Sequence, residues 1–168
     1  MALTTTVDIS IATKHTKPLD LNTTPVSELP FTERIKLATG TGAGKADRVW
    51  FDSRTVNAST NDDLDLVGSL LDAFGDTFSP VRLKVLALRN TSPSQVLTVG
   101  AAAADPWEAF LGATGTMIIR PGATVILVAG EADATAYVCA AADTDKLRVA
   151  NGAGGSATYD IVLIGVSA

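Results

Sequence analysis

Residues able to do chemistry are few in this chain, and they do not converge. There is one histidine, His15, and one cysteine, Cys139. A serine or cysteine nucleophile needs a neighbouring base to take its proton, and an imidazole is the usual one. His15 lies in a polar N-terminal stretch, whereas Cys139 lies in the apolar run Ala136-Tyr137-Val138-Cys139-Ala140. That setting predicts a small buried thiol rather than a nucleophile. No Gly-x-Ser-x-Gly elbow is present to raise a serine. A single cysteine also excludes an intrachain disulfide framework and a multi-cysteine zinc site.

The carboxylates are more numerous but equally scattered. Paired acids for glycoside hydrolysis would have to come from Glu28, Glu33, Glu108, Glu131 or the aspartates. None sits at the centre of an apolar strand with a partner at matching spacing. Asp160 comes closest, between Tyr159 and Ile161, and reads as a hydrogen-bonded side chain, with Lys or Arg as its expected partner. Asn61-Asp62-Asp63-Leu64-Asp65 resembles a calcium loop superficially. It lacks the Asp-x-Asp-x-Asp-Gly register and the glutamate at the twelfth position, so it reads as a solvated turn entering a strand. Asp143-Thr144-Asp145, with Lys146 beside it, reads as another turn.

Gly40-Thr41-Gly42-Ala43-Gly44-Lys45 invites comparison with a phosphate-binding loop. That loop needs glycine, four residues, then Gly-Lys-Ser/Thr, so that backbone N–H groups wrap the phosphates and a hydroxyl reaches magnesium. Here Thr39 stands five residues before Gly44, and Ala46 follows Lys45. No clear helix follows to supply a positive dipole end. The glycines instead predict positive-φ turn positions between two strands.

Among the cations, Arg82, Lys84 and Arg89 fall in a period-2 strand and are expected on its solvent face. Among the aromatics, Trp50 sits beside Phe51 in a strand and reads as core or interface packing. Trp107 lies in a long Ala-rich loop and is the candidate for an exposed contact. With Tyr159 on the final strand, these are the candidate contact residues. No catalytic, cofactor-binding or metal-ligating set is expected, and the chain does not read as an enzyme.

The elements that must position these residues are strands almost throughout. Val81 to Leu88 alternates, placing Val81, Leu83, Val85 and Ala87 on one face. Met117 to Ile119 and Thr124 to Val128 are apolar runs separated by Arg120-Pro121-Gly122. Tyr137 to Cys139, Leu147 to Val149 and Tyr159 to Gly165 follow, with Gly, Asp and Asn between them. Short strands with turn signals at such spacing predict an all-β sandwich or barrel, and the sandwich is the reading adopted. About nine or ten strands suit an eight-stranded jelly roll with one or two extras. Ser69 to Gly75 fits a short helix, with Leu70, Leu71 and Phe74 on one face, or a β segment, and the bracketing Gly68 and Gly75 favour the β reading; Ala101 to Ala113 is read as a long loop. Residues 1–30 differ: Val7 to Ile11 alternates like one strand, but Pro18, Pro25 and Pro30 break a polar, Thr-rich stretch. They are expected to form an extended N-terminal arm, and residues 31–168 the sandwich domain. The final strand is apolar on both faces, so it should be central or lie under a neighbouring subunit.

The chain has 168 residues, 46% of them hydrophobic and 18% charged, enough to bury a core. Its net charge of −5 and the lack of a basic run argue against nucleic-acid binding. No apolar stretch reaches the ~18–20 residues a membrane helix needs. The N-terminal residues lack a basic and apolar leader pattern.

Three segments carry a resemblance. They are Gly40 to Trp50, Asn61 to Gly68, and Asp145 to Gly152 leading into Thr158 to Gly165. Over roughly residues 18 to 168 they resemble small virion structural proteins of tailed bacteriophages, in particular the jelly-roll decoration, or cement, proteins of capsids. The resemblance implies a capsid-surface protein made in the host bacterial cytoplasm, binding the major capsid protein and forming a homo-oligomer, with a trimer favoured. It implies no cofactor, nucleic acid or membrane. A receptor- or glycan-binding module of a tail or fibre is the alternative.

Overall fold

The computed structural model describes residues 2–20 and 23–168; Met1, Leu21 and Asn22 lie outside the described residues. The fold is an all-β sandwich, as the alternation predicts. Strands β1 (Thr5–Thr16), β2 (Val26–Thr39) and β3 (Lys45–Ala46) come first. Then come β4 (Arg48–Val56), β5 (Asn61–Asp65), β6 (Arg82–Asn90), β7 (Leu97–Gly100), the short helix α1 (Glu108–Leu111), β8 (Thr116–Ile119) and β9 (Thr124–Val128). β10 (Tyr137–Val138), β11 (Lys146–Asn151) and β12 (Ala157–Val166) complete the chain.

Two antiparallel sheets form the sandwich. One has the order β4-β12-β6, with β9 and then β10 along the far side of β6. The other has the order β5-β11-β7-β8. Successive strands change sheets except at β7–β8 and β9–β10, and the last strand lies beside the first of the sandwich. This is the jelly-roll order. Arg120-Pro121-Gly122 carries the chain from β8 in one sheet to β9 in the other, with Gly122 at φ 74°.

The main core lies between the sheets. Tyr159, Ile161 and Leu163 of β12 meet Trp50, Leu86 and Leu88 from their own sheet and Leu64, Leu97, Val99, Leu147 and Val149 from the other. The opposite face of β12 is also apolar, and its Ile164 joins a second cluster with Val85, Ile35, Leu37 and Ala46. The doubly apolar final strand is thus central in its sheet, and part of its outer face is covered within the same chain.

That cover comes from the N-terminal segment, and it revises the expected extended arm. β1 and β2 form one antiparallel hairpin, paired from Thr5↔Leu37 to Thr16↔Val26. A boundary at residue 30 falls inside β2. Pro30 does not end the strand because its pairing leaves no bond to lose. Outside the strand ladder, Lys17 N–H donates to the Pro25 carbonyl, while Lys36 N–H donates away from β1 to Glu131 Oε1 at 2.7 Å. Odd positions of β2 therefore bond to β1, and even positions, Pro30 included, face outward. A missing N–H is tolerated there and blunts a free edge.

Ser69 to Gly75 is not a strand; only an isolated bridge, Leu71↔Thr77, forms there. Asp72 Oδ1 accepts from Phe74 N–H and Asp76 N–H and closes a turn instead. Within β6, the expected common face of Leu83, Val85 and Ala87 is split. The pairing with β12 shifts from Ile164↔Val85 to Gly165↔Leu83, leaving Lys84 as an extra residue. This bulge reverses the alternation, so Leu83 enters the main core and Val85 the second cluster.

Candidate functional site

The three candidate contact residues are all buried. Trp107 packs near Phe110 and Tyr137, and its Nε1–H donates to the Val138 carbonyl at 2.8 Å. The loop holding it is fixed against β11, where Trp107 N–H donates to the Lys146 carbonyl and Pro106 forms a bridge with Lys146. Trp50 lies in the main core. Tyr159 is fully buried, and its hydroxyl donates to Asp62 Oδ2 at 2.8 Å. None of the three is available at the surface of this chain.

Most of the acidic groups singled out in the sequence have structural partners. Asp62 accepts a fork from Arg54, at 2.6 Å from Nε and 3.0 Å from Nη2. Burial pushes the Tyr159 hydroxyl well above its ordinary range, and the hydrogen bond to Asp62 adds to the shift. Asp63 accepts a second fork from Arg148, at 2.7 Å from both Nε and Nη2, which lowers its carboxyl pKa. Asp65 Oδ1 caps Val67 N–H, and Asp105 pairs with Lys146 at 2.8 Å. Asp160 accepts from the Ser53 hydroxyl at 2.6 Å, where a Lys or Arg partner was expected. Among the described residues, no three His, Cys, Asp or Glu side chains gather as a metal-ligand set.

Burial pushes the Cys139 thiol up to about 12. The Gly40–Gly44 loop turns β2 back to β3 in parallel pairing, with Gly40 at φ 131° and Gly44 at φ 62°. Lys84, expected on a solvent face, is fully buried, and its Nζ donates to the Asp133 carbonyl at 2.5 Å. The bulge turns it under the loop between β9 and β10, and desolvation lowers its pKa.

What the surface does present is apolar and organised in rows. Register places residues side by side across β4, β12, β6 and β9 on the outer face of the larger sheet. The row Val49–Ile164–Val85–Val128 lies under the hairpin base, against Leu3, Val7, Ile35 and Leu37. The next row, Phe51–Val162–Ala87–Ile126, is covered only at its middle: Val162 packs against the edge of that cluster and Ala87 is half-buried, whereas Phe51 is 61% exposed and Ile126 45%. The row beyond, Ser53–Asp160–Arg89–Thr124, is polar.

The hairpin has a matching asymmetry. Odd residues of both strands share the face that packs on the sheet at Val7 and Ile35. That face continues beyond the domain as Ile9, Ile11 and Thr13 against Glu33, Phe31 and Leu29. Ile11, Leu29 and Phe31 are 55%, 65% and 53% exposed. The opposite face is polar and carries the pairs Asp8–Arg34 at 2.5 Å and Lys14–Glu28 at 3.6 Å. From Ile9 to Thr16 the ribbon projects on the order of 23 Å, at about 3.3 Å per residue.

A groove of about 630 Å³ lies between Leu3, Val49, Phe51 and the turn at Asp72–Asp76. Phe74 stands exposed at the tip of that turn. These apolar surface residues were not among the sequence candidates. The available signal was the alternation Phe31/Glu33/Ile35/Leu37, which marks one ribbon face but not how far the domain covers it.

No family model matches this chain, and no curated protein and no solved structure matches it.

Proposed function

We propose that this is a structural protein of a tailed-phage virion, a capsid decoration protein that binds at junctions between capsomers and stabilises the mature head. The carrying observation is the projecting amphipathic ribbon. A two-stranded ribbon with an apolar face is marginally stable alone in water, so a second protein surface is its natural support. The resemblance of the Gly40–Trp50, Asn61–Gly68 and C-terminal segments to phage virion proteins directs the reading to the capsid, with the major capsid protein as the partner of the protein once its ribbon is seated. A rigid sandwich whose carboxylates are largely committed to internal pairs suits a building block. Binding the assembled shell and not its alternatives stabilises the shell by mass action. The protein would be made in the host cytoplasm and act on the virion surface. A glycan-binding tail module is the reading that would expose Trp107; both indoles are buried, and the exposed rings are those of Phe31, Phe51 and Phe74.

The test shortens the ribbon. Ile9 and Glu33 are cross-strand partners at a hydrogen-bonded position, so residues 10–32 can be replaced by Asn-Gly, a two-residue hairpin turn. The shortened protein should fold, by circular dichroism and melting, yet fail to co-sediment with capsids lacking the native copy. The full chain should bind them and raise their resistance to heat. Equal binding by both forms, or none by the full chain, would refute the proposal.

A further inference from the structure

We propose that the partly open row Phe51–Val162–Ala87–Ile126, exposed at Phe51 and Ile126, seats the projecting ribbon of a second copy of this chain, with Phe31 and its apolar neighbours facing down. The argument starts from a contact that already exists. At its base the ribbon covers the adjacent row of the same sheet, through Val7, Ile35 and Leu37. Both surfaces of that contact continue beyond it, the sheet by one more apolar row and the ribbon by one more apolar stretch. Within one molecule they diverge, because the ribbon leaves the domain past Ile9 and its distal face is exposed. A second copy supplies the missing half to each.

Charge fits the same seating. Glu33 lies two residues from Phe31 on the ribbon face, and Arg89 lies two residues from Ala87 on β6. Both steps measure about 6.6 Å along a strand. With Phe31 on Ala87, Glu33 reaches Arg89. Among the described residues neither has an ion-pair partner within the chain. Each copy then gives one ribbon and receives one, a donor–acceptor contact that closes into a ring when the rotation allows.

The inference does not depend on the virion reading, and it is tested on the purified protein alone. Sedimentation velocity across the micromolar range should show concentration-dependent association. Phe31→Asp and Ile126→Asp, both at exposed positions, should each leave a folded monomer, with unchanged circular dichroism. Glu33→Arg should weaken association about tenfold, and adding Arg89→Glu to the same chain should restore it. A Phe31→Cys copy mixed with a differently tagged Ala87→Cys copy should form a disulfide between the two chains.

A wild-type protein that stays monomeric at high micromolar concentration overturns the proposal. So does association that survives both Asp variants. If the wild type is monomeric while Ile126→Asp loses binding to capsids, the occupant of the row is the shell protein and not a second copy.

Discussion

Tyr159 Oη lies 2.8 Å from Asp62 Oδ2 and donates to it, joining the central strand of one sheet to the edge strand of the other. Arg54 holds the same carboxylate from β4. The three residues lock the end of the sandwich where β4 runs into β5. Removing the phenol hydroxyl leaves the fork intact, so Tyr159→Phe should cost about 1.5 kcal/mol. Asp62→Ala strands both donors and should cost roughly 2–3 kcal/mol. Urea unfolding, with midpoints compared at constant slope, measures both. Equal losses would mean that the two donors do not act on the carboxylate separately.

Acid should loosen the smaller sheet through Asp63. Its carboxyl is held below the ordinary value of 3.8, chiefly by the hydrogen bonds from Arg148. A carboxylate whose folded pKa is depressed stabilises the fold above its unfolded pKa, and that contribution is lost as pH falls through the folded value. The pair is partly exposed, so its contribution near neutral pH should be about 0.5–1 kcal/mol. The stability gap between wild type and Asp63→Asn should be present at about pH 7 and should shrink as pH falls below the ordinary value of 3.8 and through the lower folded one. A gap that persists in acid would show that the carboxylate charge is not its source.

Cys139 should be silent in the native protein. Its thiol is buried and its pKa is pushed up to about 12, so almost no thiolate exists at neutral pH. A thiol reagent should react at the rate of unfolding under native conditions and at once in denaturant. Rapid native labelling would contradict the packing around Tyr137 and Trp107.

Gly165 should tolerate no side chain. A Cβ there would lie 2.6 Å from the Arg82 carbonyl oxygen and 2.7 Å from Pro80 Cβ. Overpacking of this kind typically costs about 1–3 kcal/mol, and backbone on one side cannot give way easily. Gly165→Ala should therefore lower the melting temperature clearly, while Gly122→Ala, where a Cβ meets open space, should cost only its positive-φ strain.

Lys45 is exposed, and the loop around it turns one strand into the next in parallel pairing. Lys45→Ala should leave the melting temperature nearly unchanged, and ATP or GTP should give no thermal shift. A saturable nucleotide-dependent shift would overturn this account of residues 40–47.

Alternation, turn residues and composition were enough to determine the all-β class and most of the strands from β4 onward. They also marked β12 as apolar on both faces and Cys139 as a buried thiol. These are local properties, because a period of two and a glycine at positive φ act over a few residues. What lay outside local reach was decided by pairing at long range. Pro30 looked like a boundary until its pairing with Ala12 turned its nitrogen outward. Lys84 looked exposed until the shift between Ile164 and Gly165 turned it inward. Trp107 looked like a surface ring until the loop closed over it. Phe51 and Val49 read alike as strand residues in the sequence, but one lies under the hairpin and the other does not. An alternating pattern states which residues share a face. Which face is covered, and how far, depends on where a distant segment ends, and only the tertiary structure decided that.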